Sequence, residues 1–281
     1  MNAQTLTRLE EEIRRLCVET GGTVAVVFED LTNSQNSIMI NEREVFHAAS
    51  TMKTPIMIAV MKLAEENKLS LDDSIPVENR FRSIVDSSEY SMDIGEDSGE
   101  GLYKELGKKV TIRRLLYDMI TVSGNLATNI LIDKVGAGYV RSLLRDRGIE
   151  GVNVLRGVED IKAYEAGLNN TVTAEGLFKM FAEIERGGFC GEAYTNEMKE
   201  ILLSQKFTSM IPKYLPKEAK AAHKTGSITA IMHDGGIVYH GNGSKYVLII
   251  LNKNYKNAET ARENSALISK LVYDYMSGVK K

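Results

Sequence analysis

The strand-forming stretches of this chain lie at its two ends, with a long helical stretch between them. Thr23 to Phe28 is rich in β-branched residues, a polar turn runs from Thr32 to Asn36, and Ser37 to Ile40 resumes the apolar pattern. Two such runs around a polar turn predict an antiparallel hairpin. Near the other end, Ile237 to His240 and Tyr246 to Leu251 flank Gly241-Asn242-Gly243. Asn-Gly supplies the positive φ that a tight hairpin turn needs. An isolated hairpin is marginal in water, so the two are expected to join in one antiparallel sheet.

Helical spacing fills the remainder. Leu6, Leu9, Ile13 and Leu16 recur at intervals of three and four, the stripe of an amphipathic helix. Ala261, Ser265, Ile268, Val272 and Tyr275 form a similar face within a final helix at roughly 257–276. Between the hairpins, helices are expected at Ser50 to Asn67, Thr111 to Met119, Asn125 to Val135, 138–147, 173–186 and 195–204. Residues 79–109 are polar, contain the acidic run GEDSGEG, and are expected to be irregular and mobile. The fold class expected is therefore α/β in the α+β sense: an antiparallel sheet flanked by N- and C-terminal helices, with an inserted all-helical domain. The sheet domain would comprise 1–49 and 206–281 and the helical domain 50–205, with a functional site at their interface.

Composition closes off several functions. With 35 Lys+Arg against 38 Asp+Glu, the net charge is −3, so the basic face that nucleic acid requires is not expected. Cys17 and Cys190 are the only cysteines, too few for a disulfide framework or a thiolate metal site. None of His47, His223, His233 and His240 lies in an H-E-x-x-H pattern, and no metal is expected. No run of about 18 uncharged apolar residues exists, so no membrane span is expected. Residues 1–20 carry seven charged side chains and no apolar run, unlike a secretory signal. As written the chain is expected to be cytoplasmic, or extracytoplasmic if a leader has been trimmed.

Three short motifs carry the chemistry. Ser50-Thr51-Met52-Lys53 sits where a helix should begin, and a spacing of three sets Lys53 over Ser50 on one face. A serine hydroxyl is a poor nucleophile until a base takes its proton, and a lysine amine can do so if burial depresses its pKa. The second motif, Ser123-Gly124-Asn125, falls in the turn between two expected helices. The third, Lys224-Thr225-Gly226, precedes the C-terminal hairpin. Each is weak alone; in this order and these contexts they are strong together.

On these motifs the sequence resembles the class A β-lactamase and penicillin-binding serine hydrolase family, whose signatures are S-x-x-K, S-D-N and K-T-G. The stretches FHAASTMKTPIMIAVMKL, VTIRRLLYDMITVSGNLATNILI and HKTGSITAIMHDGGIVY carry the resemblance across nearly the whole chain. It implies a β-lactamase/transpeptidase-like fold, with Ser50 as the nucleophile and Lys53 as a candidate base. It implies that Ser123 relays a proton to the leaving nitrogen and that Asn125 binds the substrate amide. Lys224 would supply positive charge, with Thr225 and Gly226 beside the substrate carboxylate. The backbone N–H groups of Ser50 and Ser227 would form the oxyanion hole. No cofactor is implied. The expected partner is a small molecule, a β-lactam or a D-alanyl peptide, and a monomer is expected. β-Lactam hydrolysis, and with it antibiotic resistance, leads. A D-alanyl peptidase, a small ester or amide hydrolase, and a penicillin-binding sensor that stays acylated are the alternatives.

Three departures stand out. Gly124 replaces the usual Asp, which removes a carboxylate and is expected to loosen that turn. The family's deacylating glutamate belongs to an E-x-x-x-N loop; the matching segment, RGVEDIKAYEAGLNNTVTAEGL, offers Glu159 or Asp160 after Arg156, neither at that spacing, while Glu165 lies close to the next helix start. Slow deacylation is therefore expected. Where the family often has a basic residue after K-T-G, His233 and Asp234 stand instead. They do not suggest a Ser-His-Asp triad, because neighbours on a strand face opposite ways. Asp97-Ser98-Gly99 matches a trypsin-like run only by coincidence. His47, Cys17 and the Met52, Met57, Met61 series are expected to serve packing.

Overall fold

The structure, a computed structural model, describes residues 5–278; residues 1–4 and 279–281, the outer ends of the expected sheet domain, lie outside the described residues. The first helix, α1 (Leu6–Thr20), starts where the Thr5 hydroxyl accepts from Arg8 N and stops at Gly21, which is left-handed at φ 72°. Strands β1 (Thr23–Asp30), β2 (Ser37–Ile40) and β3 (Phe46–His47) follow, then a 3₁₀ turn at Ala49–Met52 and helix α2 (Lys53–Glu65). Next come β4 (Ser74–Pro76), β5 (Phe81–Arg82), β6 (Glu89–Tyr90), β7 (Lys109–Thr111), α3 (Ile112–Thr121), α4 (Asn125–Val135) and α5 (Ala137–Arg145). The chain continues through β8 (Val152–Asn153), α6 (Ile161–Glu165), β9 (Thr171–Val172), α7 (Ala174–Arg186) and α8 (Glu192–Leu203). It ends with β10 (Lys220–Ile228), β11 (Ile231–Tyr239), β12 (Lys245–Lys253) and α9 (Ala258–Gly278).

The two end hairpins meet as expected. The main sheet runs β10-β11-β12-β1-β2, all antiparallel, and Thr23 to Asp30 of β1 pair with Lys253 to Tyr246 of β12. Period-two alternation gives each strand two faces, and here both are buried. Ala25, Val27, Val247 and Ile249 join the core under the middle helices. Val24, Val26, Phe28, Leu248 and Ile250 join Leu9, Ile13, Ile268 and Val272 of the terminal helices. Helix α2 is buried nearly all round, from Ile56 through Met61, as a helix apolar on every face should be. Met52, Met57 and Met61 are core residues.

The 79–109 segment is mostly irregular, as expected, but is pinned by the short β5–β6 ladder and by 3₁₀ turns at Ile94–Glu96 and Glu100–Glu105. Its polar side chains make the order: Asn79 brackets Met92, donating Nδ2 to its carbonyl at 2.9 Å and accepting its N–H at 2.7 Å. No helix among the described residues is long and apolar enough to cross a membrane.

Candidate functional site

Ser50 lies in the 3₁₀ turn against β10. Because β10 is an edge strand, its outer backbone groups have no ladder partner and can face a ligand. The approach is close: a Cβ on Gly226 would stand 3.0 Å from Ser50 N and 3.1 Å from Thr51 N. A side chain there would require the Ser50 turn to give by a few tenths of an ångström.

Behind Ser50, two lysines converge on one hydroxyl. Lys53 Nζ donates to Ser123 O at 2.6 Å, Ser123 Oγ at 3.2 Å and Asn125 Oδ1 at 2.8 Å. Lys224 Nζ donates to the same Ser123 Oγ at 3.0 Å and to Thr225 O at 2.8 Å. Ser123 holds this position at φ 59°, a left-handed backbone. Both lysines are almost wholly buried. Burial pushes the Lys53 ammonium down to about 7, against the opposing pull of the Asp97 and Glu159 carboxylates. Lys224 is driven well below the ordinary lysine range, first by burial and then by the Lys53 charge. Desolvation thus outweighs like-charge repulsion in this pair.

The missing motif carboxylate arrives from elsewhere. Asp97 Oδ1 accepts from Asn125 N and Oδ2 from Leu126 N, both at 2.8 Å, at the start of α4. It also accepts from Gly99 N and Tyr103 Oη. A carboxylate on a helix N-terminus satisfies orphan donors and the helix dipole together. The expected loosening is corrected: Gly124 lets Gly99 pack so close that a Cβ on Gly99 would stand 2.6 Å from Gly124 Cα, and that packing delivers Asp97.

The loop after Arg156 separates its two acids. Asp160 is buried and committed, accepting from Ser83 Oγ, Ile84 N and Ala163 N. Glu159, at φ 60°, lines the cavity with Ser50. Its Oε2 accepts from Asp93 N at 2.9 Å, and its Oε1 faces Asn125 Nδ2 at 3.5 Å. Partial burial raises the Glu159 carboxyl above its ordinary value. The E-x-x-x-N spacing does occur nearby, at Glu165 and Asn169, but Glu165 is exposed at the end of α6 and Asn169 Oδ1 accepts from Arg156 Nη2. Arg156 otherwise donates to the carbonyls of Leu168 and Gly157.

Two cavity lobes meet at Ser50, Glu96, Asn125 and Ser227. The larger, ≈ 660 Å³, runs past Glu159, Tyr164, Asn170 and Ile228; the smaller, ≈ 260 Å³, runs past Ser123, Thr225, Gly226 and Arg262. Arg262 is the residue that sequence reasoning missed. It comes from α9, whose exposed face gave no signal beyond a lone cation. His233 and Asp234 face apart: His233 Nε2 donates to His47 O, while Asp234 accepts from His223 Nδ1 and Ile211 N. Cys17 and Cys190 both carry thiols pushed up to about 11 by burial. Among the described residues, no three His, Cys, Asp or Glu side chains cluster closely enough to hold a metal.

Fold and motifs together define a family. The model of the beta-lactamase enzyme family matches residues 8–276, and the chain belongs to that family. Among curated relatives it is similar to beta-lactamase VEB-1 of Pseudomonas aeruginosa, 23% identical over 271 residues that cover 87% of this chain and 82% of that one. A β-lactamase structure from Chitinophaga pinensis superposes with a TM-score of 0.83 at 23% identity, covering 95% of this chain and 99% of that one. A PBP-A mutant, solved as an acyl-enzyme complex with penicillin G, gives a TM-score of 0.81 at 25% identity, covering 99% and 100%.

Proposed function

We propose that the protein is a serine hydrolase that opens β-lactams through an acyl-enzyme on Ser50. One observation carries the reading: two buried amines meet at Ser123 Oγ, in a cavity that also exposes Ser50. Family membership and the penicillin adduct of the PBP-A mutant support it.

In this mechanism the Ser50 Oγ attacks the lactam carbonyl and its proton passes to neutral Lys53. Charge then develops on the carbonyl oxygen, facing the N–H groups of Ser50 and Ser227. Such a donor is worth about 2.7–4 kcal/mol. The C–N bond breaks, and Ser123 delivers a proton to the leaving nitrogen, recharged from the lysines on either side. Asn125 holds the substrate amide, and Lys224 and Thr225 favour its carboxylate. For hydrolysis of the ester, Glu159 takes a proton from water in the larger lobe. Its raised pKa suits a base that desolvation keeps reactive.

Intact-mass spectrometry after mixing with penicillin G tests this reading. Because Glu159 lines the cavity with Ser50, a transient adduct on Ser50 is expected here, in place of the slow deacylation anticipated from the loop's spacing. A lasting adduct would instead favour a D-alanyl peptidase or an acylated sensor, and no adduct would turn attention to other esters and amides.

A further inference from the structure

Ala49, the residue before the nucleophile, sits at φ 44°, a left-handed conformation that L-residues avoid unless the surroundings impose it. Those surroundings are unusually complete. His47 Nδ1 accepts from Ala49 N at 3.0 Å. The His47 carbonyl accepts from His233 Nε2 at 2.9 Å, and His233 Nδ1 in turn accepts from Asn252 N at 3.2 Å. Ala48 N donates to Asn170 O at 2.8 Å, and the Ala48 carbonyl accepts from Thr51 Oγ1 at 2.6 Å.

We infer that His47 is a positioning residue for acylation: its Nδ1 clamps Ala49 in the strained turn that aims the Ser50 Oγ and N–H into the cavity. The inference rests on Ser50 being the nucleophile. The tautomer follows from geometry. An Nδ1 that accepts must leave the ring proton on Nε2, and among the described residues His47 Nε2 has no hydrogen-bond partner.

The clamp works only while His47 is neutral, since a proton on Nδ1 would confront the Ala49 N–H. Burial and the Arg156 charge both hold the His47 pKa below its ordinary value. The other groups around it are Tyr164, edge-on across the cavity wall, and His233 from β11. Lys253, over the Phe46 ring, is already paired with Glu44. The contact spans residues i and i+2, the pattern an asparagine side chain makes with its own backbone, so His47→Asn can rebuild it without a titrating ring.

The test measures the rate of Ser50 acylation by a chromogenic cephalosporin and, separately, by a fluorophosphonate. His47→Leu should acylate about 10- to 100-fold more slowly with both, as expected for a displaced nucleophile, and His47→Asn should recover most of that loss. The parent should lose acylation at acid pH in two ionisations, Lys53 and then His47, and His47→Asn should keep only the first. A His47→Leu protein with the parental rate, or a His47→Asn protein with the parental pH profile, overturns the inference. Should His47→Leu fail to fold, the His47→Asn profile decides alone. A parent labelled by the fluorophosphonate but not by the cephalosporin defeats the β-lactam reading while leaving the His47 comparison intact. Labelling by neither defeats both.

Discussion

The two halves of the cavity are built in opposite ways. On the Ser123 side, Lys53 and Lys224 are buried to within 1% of full exclusion, and five hydrogen bonds of 2.6–3.2 Å fix their amines. On the Glu159 side, a half-buried carboxylate leans on one backbone N–H and a 3.5 Å amide contact, at the edge of a lobe more than twice as large. On the proposed mechanism the difference is chemical: a base that takes the serine proton must be held in place, whereas activating a water needs room for the water.

The largest test of that contrast is Ser50→Ala, which should abolish covalent labelling by a fluorescent penicillin. A mutant that labels like the parent would remove the nucleophile and the comparison with it. Next comes Lys53→Met, expected to slow acylation by about 10²–10⁴-fold, the usual worth of a positioned base. The sign of its pH dependence follows from the depressed pKa of about 7. The base must be neutral, so acylation by the parent should rise with pH through that value. A rate flat from pH 5 to 9, by stopped-flow, would exclude Lys53.

On the looser side, Glu159→Gln should leave acylation nearly unchanged and lengthen the life of the penicilloyl adduct by about 10²-fold, within the range for loss of a general base. In the parent, deacylation should fall as pH drops and Glu159 takes up a proton, at a value above its ordinary 4.5 because burial raises it. Asp160→Asn should instead lower thermal stability, since its carboxylate serves Ser83, Ile84 and Ala163, with the adduct lifetime little changed. Equal adduct lifetimes in parent and Glu159→Gln would mean that the water is activated elsewhere.

The same contrast governs what the sequence made legible. Ser50, Lys53, Ser123 and Lys224 sit in short motifs whose spacing is local, so they could be read directly. The end-to-end sheet was readable because alternation and turn residues are local as well. The choice between Glu159 and Asp160 was not, because both are acids and only the approach of Ser83 and Ile84 from 76 or 77 residues away tells them apart. Nor was Asp97, which reaches α4 from 28 residues upstream. A carboxylate lost from a motif left no trace of where its replacement would enter.

Arg262 carries the smallest expected effect. The basic residue that the family often carries after K-T-G has no Lys or Arg counterpart on β11, yet Arg262 of α9 lines the smaller lobe beside Thr225 and Ser227. A substrate carboxylate held between Thr225 and Lys224 would feel that guanidinium across an opening to solvent. Exposed charge pairs are worth at most about 1 kcal/mol, so Arg262→Ala should raise KM by about fivefold and leave kcat alone. Salt screens exposed charges, so the gap should narrow as ionic strength rises. Esterifying the substrate carboxylate should remove it. If the acid and its methyl ester lose affinity equally on Arg262→Ala, the arginine acts through packing of α9 rather than through charge. An unchanged KM for the acid would leave Lys224 as the cation that reads the carboxylate.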